Sequence, residues 1–329
     1  MILKILILLL NPTLAEKTKT FSPVVSVDQA PGDLLLFLQD GRVGRVGAPS
    51  PLFPVILNAE KEKTPLEALL NAEGWAVEIR NIPPKRLPPR AKLPDQDSNP
   101  DTHLDSNPPS ILTPGQAEEV FHSLNPNSRR RSQCFNRAHV WTFETRKFKG
   151  VHLMKVFMFF TAKYIRDYHY RWWFHVSPFA YVEKEGVVRE SILDWTFMKG
   201  PTDPKDWSDH FIKSRTPCPT VQNYSDYSNH QYDHDCYFMK VPMYFWQPRH
   251  LEAREAGAPD PVDFLEEDVG AAYAQAFFGR PRNLLSGLKS QLGISVGKIS
   301  SNLGSIRLGT ESASGGDRDV ALEPGVSLP

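Results

Sequence analysis

Residues 171–195 read RWWFHVSPFAYVEKEGVVRESILDW and decide the fold of the larger part of the chain. Two runs rich in β-branched and aromatic residues flank the turn at residues 184–186, which predicts an antiparallel hairpin. His175 lies on the first predicted strand and Asp194 on the second. Because cross-strand neighbours in a hairpin lie side by side, we expect the carboxylate of Asp194 to reach the imidazole of His175.

A helix is predicted over residues 135–148, and the segment at its start, residues 132–139, reads SQCFNRAH. A thiol in the first turn of a helix faces unpaired backbone N–H groups and the positive end of the helix dipole, which favour the reactive thiolate. We expect this helix end to bring Cys134 to the other ring nitrogen of His175, so that nucleophile, base and orienting carboxylate stand in line. A structural interpretation stays open, because a lone cysteine in an aromatic-rich domain is commonly core filling.

These segments resemble the motifs of the bacterial protein-glutaminase (protein glutamine deamidase) family. The chain has Cys-x-x-Arg-Ala-His at residues 134–139, aromatic-His-Val at 174–176 and hydrophobic-Asp at 193–194, in the family's order and at similar separations. The similarity covers roughly residues 113–250. It implies an α+β fold with a papain/transglutaminase-like core, in which a helix-borne Cys packs on an antiparallel sheet. The familiar members follow the aspartate with Pro-Ser, where this chain has Trp-Thr.

Carried over by position, the resemblance implies that Cys134 is the nucleophile, His175 the base and Asp194 the orienting residue. The implied reaction is hydrolysis of glutamine side chains in proteins or peptides through a thioester, without a cofactor. The backbone N–H of Cys134 and the side chain of Gln133 are candidates for stabilising the oxyanion. His139 lies five residues after the thiol on the same helix and is expected to be structural. A transglutaminase, a papain-like protease and a non-catalytic secreted binding module remain as alternatives.

The composition divides the chain into five parts. The first fifteen residues, MILKILILLLNPTLA, have one Lys, a short apolar run and a small residue at the end, which predicts a signal peptide and a secreted or periplasmic protein. Prolines recur after the first β-rich unit and predict a linker, so the N-terminal unit is either a pro-domain that occludes the site or a permanent accessory domain. The predicted parts are a signal peptide (1–15), a small N-terminal α+β unit (16–81), a Pro-rich linker (82–112), a catalytic domain (113–280) and a flexible tail (281–329).

Within the N-terminal unit, Asp40-Gly41 predicts a tight hairpin between strands. A helix is predicted over residues 65–72, with Thr64 as its cap, and a strand over 75–79. In the catalytic domain, helices are also predicted over 116–124 and 263–278, and strands over 151–160 and 239–246.

Charge and cysteine content limit the function. Lys+Arg and Asp+Glu are both 38, which argues against a nucleic-acid binder, and the N-terminal apolar run is too short to span a bilayer. Of the 3 cysteines, Cys218 and Cys236 are expected to form a disulfide if the chain is exported, which leaves Cys134 free. His230, Asp233, His234 and Cys236 lack a second ligand pair at a recognised spacing, so we expect no metal site.

Overall fold

The computed structural model describes residues 20–82, 108–124, 133–258 and 266–278. The chain separates into two compact units, Met1–Pro89 and Arg90–Pro329. The α+β class is confirmed, since both units combine helices with sheets. The predicted signal peptide, most of the predicted linker and the predicted tail lie outside the described residues, and the predicted domain boundaries stay predictions. Among the described residues, none of the helices is long and apolar enough to cross a membrane.

In the described part of the N-terminal unit, a five-stranded antiparallel sheet has the order β3-β2-β1-β4-β5. Alternate leucines of the second strand, Leu34, Leu36 and Leu38, pack with Ile56 and Ala59 of the first helix in the core. The predicted hairpin at Asp40-Gly41 is confirmed as the connection between β2 and β3. The elements are β1 (Ser22–Ala30), β2 (Asp33–Leu38), β3 (Val43–Gly47), α1 (Leu52–Lys61), β4 (Leu66–Leu70) and β5 (Ala76–Asn81).

The helix predicted over residues 65–72 is wrong, because this segment forms β4. The sequence LEALL has high helix propensity, but β1 pairs with it on one side and β5 on the other. This pairing buries Leu66 and Ala68 in the core of the unit. Tertiary pairing therefore overrides the local propensity. The strand predicted over 75–79 is confirmed as β5.

The second unit contains a six-stranded mixed sheet, with helices formed close to their predicted positions. Helices predicted over 116–124, 135–148 and 263–278 are confirmed as α2, α3 and α8, and Thr113 caps α2 through a reciprocal capping box. The elements are β6 (Ile111–Leu112), α2 (Pro114–Ser123), α3 (Cys134–Lys149), β7 (Met154–Phe160), α4 (Ala162–Tyr168), β8 (Phe174–Lys184), β9 (Val187–Ile192), α5 (Pro204–Phe211), β10 (Thr220–Val221), α6 (Tyr224–Asn229), β11 (Cys236–Pro242), α7 (Pro248–Glu255) and α8 (Glu266–Phe278).

Strand β8 lies between β7 and β9 and organises the sheet. The strand order is β10-β11-β7-β8-β6, with β9 paired to β8, and the predicted β8–β9 hairpin is confirmed. Helices α2 and α3 share a core with the sheet, where Phe121 and Trp141 pack with Ala180 and Leu193. On β8, His175 pairs with Met158 of β7. The second unit thus has a helix that begins with a cysteine and packs on a largely antiparallel sheet.

Candidate active site

Cys134 is the first residue of α3, and the residue before it sets the start of the helix. Gln133 has an extended backbone (φ −64°, ψ 144°), and its carbonyl oxygen accepts hydrogen bonds from the backbone N–H groups of Asn136 and Arg137. The helix ends at Gly150, whose φ of 64° lies in the left-handed region that glycine adopts without strain. The buried Cys134 therefore lies at the helix end whose N–H groups have no acceptor in the preceding turn.

His175 and Asp194 form a buried hydrogen-bonded pair, as the hairpin predicts. Nε2 of His175 donates to Oδ2 of Asp194 over 2.7 Å. The same oxygen accepts a second hydrogen bond from Nε1 of Trp207 (3.0 Å), and Oδ1 accepts one from the backbone N–H of Thr196 (3.2 Å). Three donors on one carboxylate favour its ionised form and fix its orientation.

The second strand of the predicted hairpin ends before Asp194, so the expectation that Asp194 lies on this strand is wrong. Strand β9 ends at Ile192, and Asp194 begins a turn in which its carbonyl oxygen accepts hydrogen bonds from the backbone N–H groups of Phe197 and Met198. This turn lets the Asp194 side chain meet both His175 and Trp207. The carboxylate still reaches the imidazole, although it comes from a loop.

The electrostatics of His175 connect it to Cys134. Burial lowers the pKa of His175, but the charges of Asp194 and Cys134, together with the hydrogen bond to Asp194, outweigh burial and raise the pKa to about 10. Among the described residues, the buried Nδ1 of His175 has no hydrogen-bond partner. Since Nε2 bonds Asp194, Nδ1 is the ring nitrogen left to face a thiol. With the pKa raised to about 10, the imidazole is protonated at neutral pH.

Asp194 keeps its charge in a fully buried position. Burial raises the pKa of its carboxyl group, but the charge of His175 and hydrogen bonds from His175 and Trp207 bring the pKa below its ordinary value. The positive charge of Arg137, buried one turn after Cys134 on α3, acts in the same direction. The pair is therefore an imidazolium–carboxylate pair.

Aromatic rings enclose the imidazole of His175. The ring centroids of Phe211, Phe197 and Trp207 lie 4.7, 5.2 and 5.6 Å from that of His175. Trp207 is also stacked on Phe238 of β11 at 5.8 Å. These contacts keep water from the His175–Asp194 bond, and exclusion of water strengthens an interaction between charges.

The Gln133 side chain lies over the first turn of α3. Its Oε1 accepts a hydrogen bond from Nδ2 of Asn136 at 3.1 Å. Asn136 is fully buried, and its other bonds go to Gln275 of α8 and to Trp246. The carboxamide of the predicted oxyanion donor is therefore held beside the residue that carries the thiol.

The remaining predicted residues lie in structural contacts. His139 is buried, with Nδ1 2.7 Å from Nζ of Lys155 and its ring stacked on Trp246 at 5.6 Å. Cys218 and Cys236 form the predicted disulfide. In the described ranges, no group of three or more His, Cys, Asp or Glu residues is placed to hold a metal ion.

Sequence reasoning missed Trp207, Asn136 and Trp246. Trp207 is separated from Asp194 by a loop, and no pattern in the sequence indicates that its indole reaches the carboxylate. Asn136 lies within the Cys-x-x-Arg-Ala-His segment at one of its variable positions, so the motif itself gives no reason to select it. Trp246 closes the predicted strand 239–246, which ends earlier, at Pro242.

Comparison with known proteins gives one family match. Residues 119–211 match a family model for glutamine deamidases, described as "Glutaminase". No curated protein matches the chain significantly. Among solved structures, a mutant of pro-protein-glutaminase is 12% identical and has a TM-score of 0.45, with 70% of this chain and 83% of that chain covered. The protein-glutaminase of Chryseobacterium proteolyticum is 14% identical, with a TM-score of 0.28 and 41% and 75% covered.

The family match contains Cys134, His175 and Asp194 within its limits, together with Asn136 and Trp207. The structural similarities, with TM-scores below 0.5, add no argument to it. Residues 119–211, rather more than a quarter of the chain, are thus similar to the glutaminase family.

Proposed function

We propose that the chain is a cysteine amidohydrolase that deamidates glutamine side chains of proteins or peptides. The observation that carries the proposal is the buried His175, which bonds Asp194 at 2.7 Å through Nε2 and whose pKa is raised by the charges of Asp194 and Cys134. This is the arrangement of a nucleophile, a base and an orienting carboxylate. The family match over residues 119–211 supports glutamine as the substrate.

The first half of the reaction releases ammonia. The thiolate of Cys134 attacks the side-chain carbonyl carbon of a substrate glutamine and forms a tetrahedral oxyanion. The imidazolium of His175 then gives its proton to the departing nitrogen as the C–N bond breaks, which leaves a thioester. Asp194 stabilises the charged ring and fixes its tautomer, because Nε2 stays bonded to the carboxylate.

The second half returns the enzyme to its starting state. Neutral His175 removes a proton from water, the resulting hydroxide attacks the thioester, and the C–S bond breaks. The products are a glutamate side chain and the Cys134 thiolate beside the imidazolium. The oxyanion of each step is stabilised by the backbone N–H of Cys134 and the carboxamide of Gln133. The reaction needs water and no cofactor.

The disulfide supports export of the protein from the cytoplasm. A bond between Cys218 and Cys236 persists in oxidising compartments and is rare in the cytosol. We therefore place the protein outside the cytoplasm, secreted or periplasmic, with protein or peptide substrates in that compartment.

The test is incubation of the full chain with casein, followed by measurement of ammonia and mass spectrometry of the peptides. We expect ammonia release together with the mass change of glutamine to glutamate, without cross-links and without cleaved peptide bonds. Cys134→Ala and His175→Ala should abolish the change, and His122→Ala, which replaces an exposed histidine of α2, should not. Cross-linked product indicates a transglutaminase, and cleaved main chain indicates a protease. Unchanged casein, or full activity of Cys134→Ala, contradicts the proposal.

A second measurement separates an enzyme from a binding module without using a substrate. Because protonated His175 lies beside the sulfur, Cys134 should react with iodoacetamide near pH 6, where an ordinary thiol is slow. Replacement of His175 by Ala should remove this reactivity. A folded wild-type protein whose Cys134 stays inert would indicate that the cysteine is core filling.

A further inference from the structure

A network of side-chain hydrogen bonds lies over the first turn of α3. Asn136 is at its centre, is completely buried and uses both ends of its carboxamide. Its Nδ2 donates to Oε1 of Gln133 (3.1 Å) and to Oε1 of Gln275 (2.8 Å), and its Oδ1 accepts from Nε1 of Trp246 (3.1 Å). Nδ2 and Oδ1 of Asn136 are therefore both engaged in hydrogen bonds, which fixes the orientation of its carboxamide.

The indole of Trp246 determines the direction of every bond in this network. An indole N–H can only donate, so the atom of Asn136 that faces it must be the carbonyl oxygen. The NH₂ group of Asn136 then faces Gln133, and the atom of Gln133 that meets it must be Oε1. Nε2 of Gln133 is therefore the end turned away from Asn136, and none of the described residues accepts a hydrogen bond from it.

Trp246 is itself held on several sides. Its ring is stacked on His139 and lies 6.2 Å from the ring of Phe135, and it is 4% exposed. The buried Lys155 places Nζ 2.7 Å from Nδ1 of His139 and donates to the carbonyl oxygen of Phe245 (2.9 Å), which connects β7 to α3 and to the loop that carries Trp246. These contacts fix the position of the indole N–H, which therefore determines which end of the Asn136 carboxamide faces it.

We propose that Trp246 and Asn136 are positioning residues that orient the carboxamide of Gln133, so that its NH₂ end and not its oxygen faces the developing oxyanion. The inference rests on the proposed function, since it concerns the oxyanion formed on a substrate at the neighbouring Cys134. The direction matters because an N–H group stabilises a negative oxygen, whereas a carbonyl oxygen in the same place repels it. Loss of one oxyanion donor in an amide hydrolase lowers kcat by about 10²–10³-fold.

Two variants test the orientation by different means. Asn136→Asp keeps the acceptor for Trp246 but cannot donate, so Gln133 can bond to it only through Nε2, which turns Oε1 toward the substrate. Trp246→Phe removes the donor that sets the direction and leaves Asn136 free to rotate its carboxamide by half a turn. We expect both to lower kcat on casein-derived glutamine peptides by about 10²-fold or more, with little change in KM. Gln133→Ala and the nearly isosteric Gln133→Glu should have a comparable effect.

Coupling distinguishes orientation from general loss of structure. In the Gln133→Ala background, Asn136→Asp and Trp246→Phe should cause little further loss of kcat, because the group that they orient is already absent. Tyr273→Phe is the matched control: it removes the bond from the Tyr273 hydroxyl to Glu144 (2.9 Å) at the same contact between α3 and α8, and it should leave kcat unchanged. The iodoacetamide reactivity of Cys134 should also persist in every folded variant.

The outcomes separate the two proposals. If the wild-type chain deamidates glutamine but Asn136→Asp and Trp246→Phe retain kcat, or lose as much in the Gln133→Ala background as alone, the orienting role is wrong and the deamidase is not. If the wild-type chain releases no ammonia from glutamine, the proposed function fails, and the orienting role fails with it.

Discussion

At the scale of the residue, Asp194 shows how much of the site depends on one charge. Its two oxygens accept three hydrogen bonds, from His175, Trp207 and the backbone of Thr196. An ionised carboxylate accepts at both ends without offering a donor, whereas an amide or a protonated acid has a donor at one of them. The buried site therefore selects an ionised aspartate, and the ion in turn keeps His175 protonated.

Asp194→Asn should lower kcat by about 10⁴-fold, the size of effect seen when the orienting acid of a catalytic triad becomes an amide. An asparagine that keeps its oxygen toward His175 and Trp207 must turn its NH₂ group toward the N–H of Thr196, so one donor loses its acceptor. Steady-state kinetics on a glutamine peptide measures the effect, and circular dichroism checks the fold. Retention of more than a tenth of the wild-type kcat would show that Asp194 does not orient the base.

The same pair predicts how stability depends on pH. The pKa of His175 is raised from 6.5 to about 10, so its contribution to stability is complete below pH 6.5 and is lost as pH rises toward 10. The pKa of Asp194 is lowered from 3.8, so its contribution is present above that value and is lost as pH falls through the folded-state pKa. Urea unfolding between pH 6.5 and 10 should show a falling free energy of unfolding, with a smaller fall in His175→Gln. Equal slopes in the two proteins would contradict the raised pKa.

At the scale of the element, the hairpin β8–β9 brings base and carboxylate together, but with an offset. Phe179 pairs with Ile192, so a continued register places Asp194 opposite Ser177, two residues from His175 on the same face of β8. The carboxylate of Asp194 can reach His175 across this diagonal separation, because the chain turns after Ile192 and directs the carboxylate along β8. The hairpin therefore determines which residues meet, and the turn determines the hydrogen bond.

The disulfide is the second feature that matters at the scale of the element. It connects Cys236, the first residue of β11, to Cys218, 18 positions earlier and just before β10. Replacing both cysteines with Ser should lower the free energy of unfolding by about 3 kcal/mol, because the unfolded chain regains the entropy of an open loop. Urea titration measures the change, and the wild-type protein should approach the variant when a reductant is added.

Activity gives the control for the disulfide. Cys134, His175 and Asp194 lie outside the loop that the bond closes, so the variant should keep its kcat at temperatures where it is folded. A variant with wild-type stability would show that the loop stays ordered without the bond. An inactive but folded variant would show that the disulfide holds the site itself.

At the scale of the whole molecule, the residues of the site all come from the second unit. Cys134, His175, Asp194, Asn136 and Trp246 lie within Arg90–Pro329. The N-terminal unit has its own core of Leu residues and a helix. The proposed mechanism therefore uses residues of the second unit.

A protein that begins at residue 108 should keep the deamidase activity, because it retains every residue of the site and the whole sheet that carries His175. We expect its kcat/KM on a glutamine peptide to equal or exceed that of the full chain. An increase supports a pro-domain that occludes the site, and an equal value supports an accessory domain. Loss of activity with a folded shorter protein would show that the N-terminal unit takes part in the reaction.

The sequence alone determined the elements with strong local signals. The hairpin around residues 184–186 and the helices predicted over 116–124 and 135–148 follow from turn residues and apolar spacing. Local signals failed for residues 65–72, where strand pairing decided against helix propensity. They also failed at the end of β9, because a strand end depends on where its partner stops pairing.

For the site, order and spacing of residues were enough to predict His175 with Asp194, since a hairpin turns separation along the chain into a contact. Spacing could not predict Trp207 at the carboxylate, or Trp246 and Gln275 on Asn136, because those contacts join residues from elements that only the packed core brings together. Contacts made in the packed core also decide the direction of the hydrogen bonds of Asn136 and Gln133. A carboxamide has two ends of nearly equal shape, and only its neighbours in the folded chain determine which end faces the substrate.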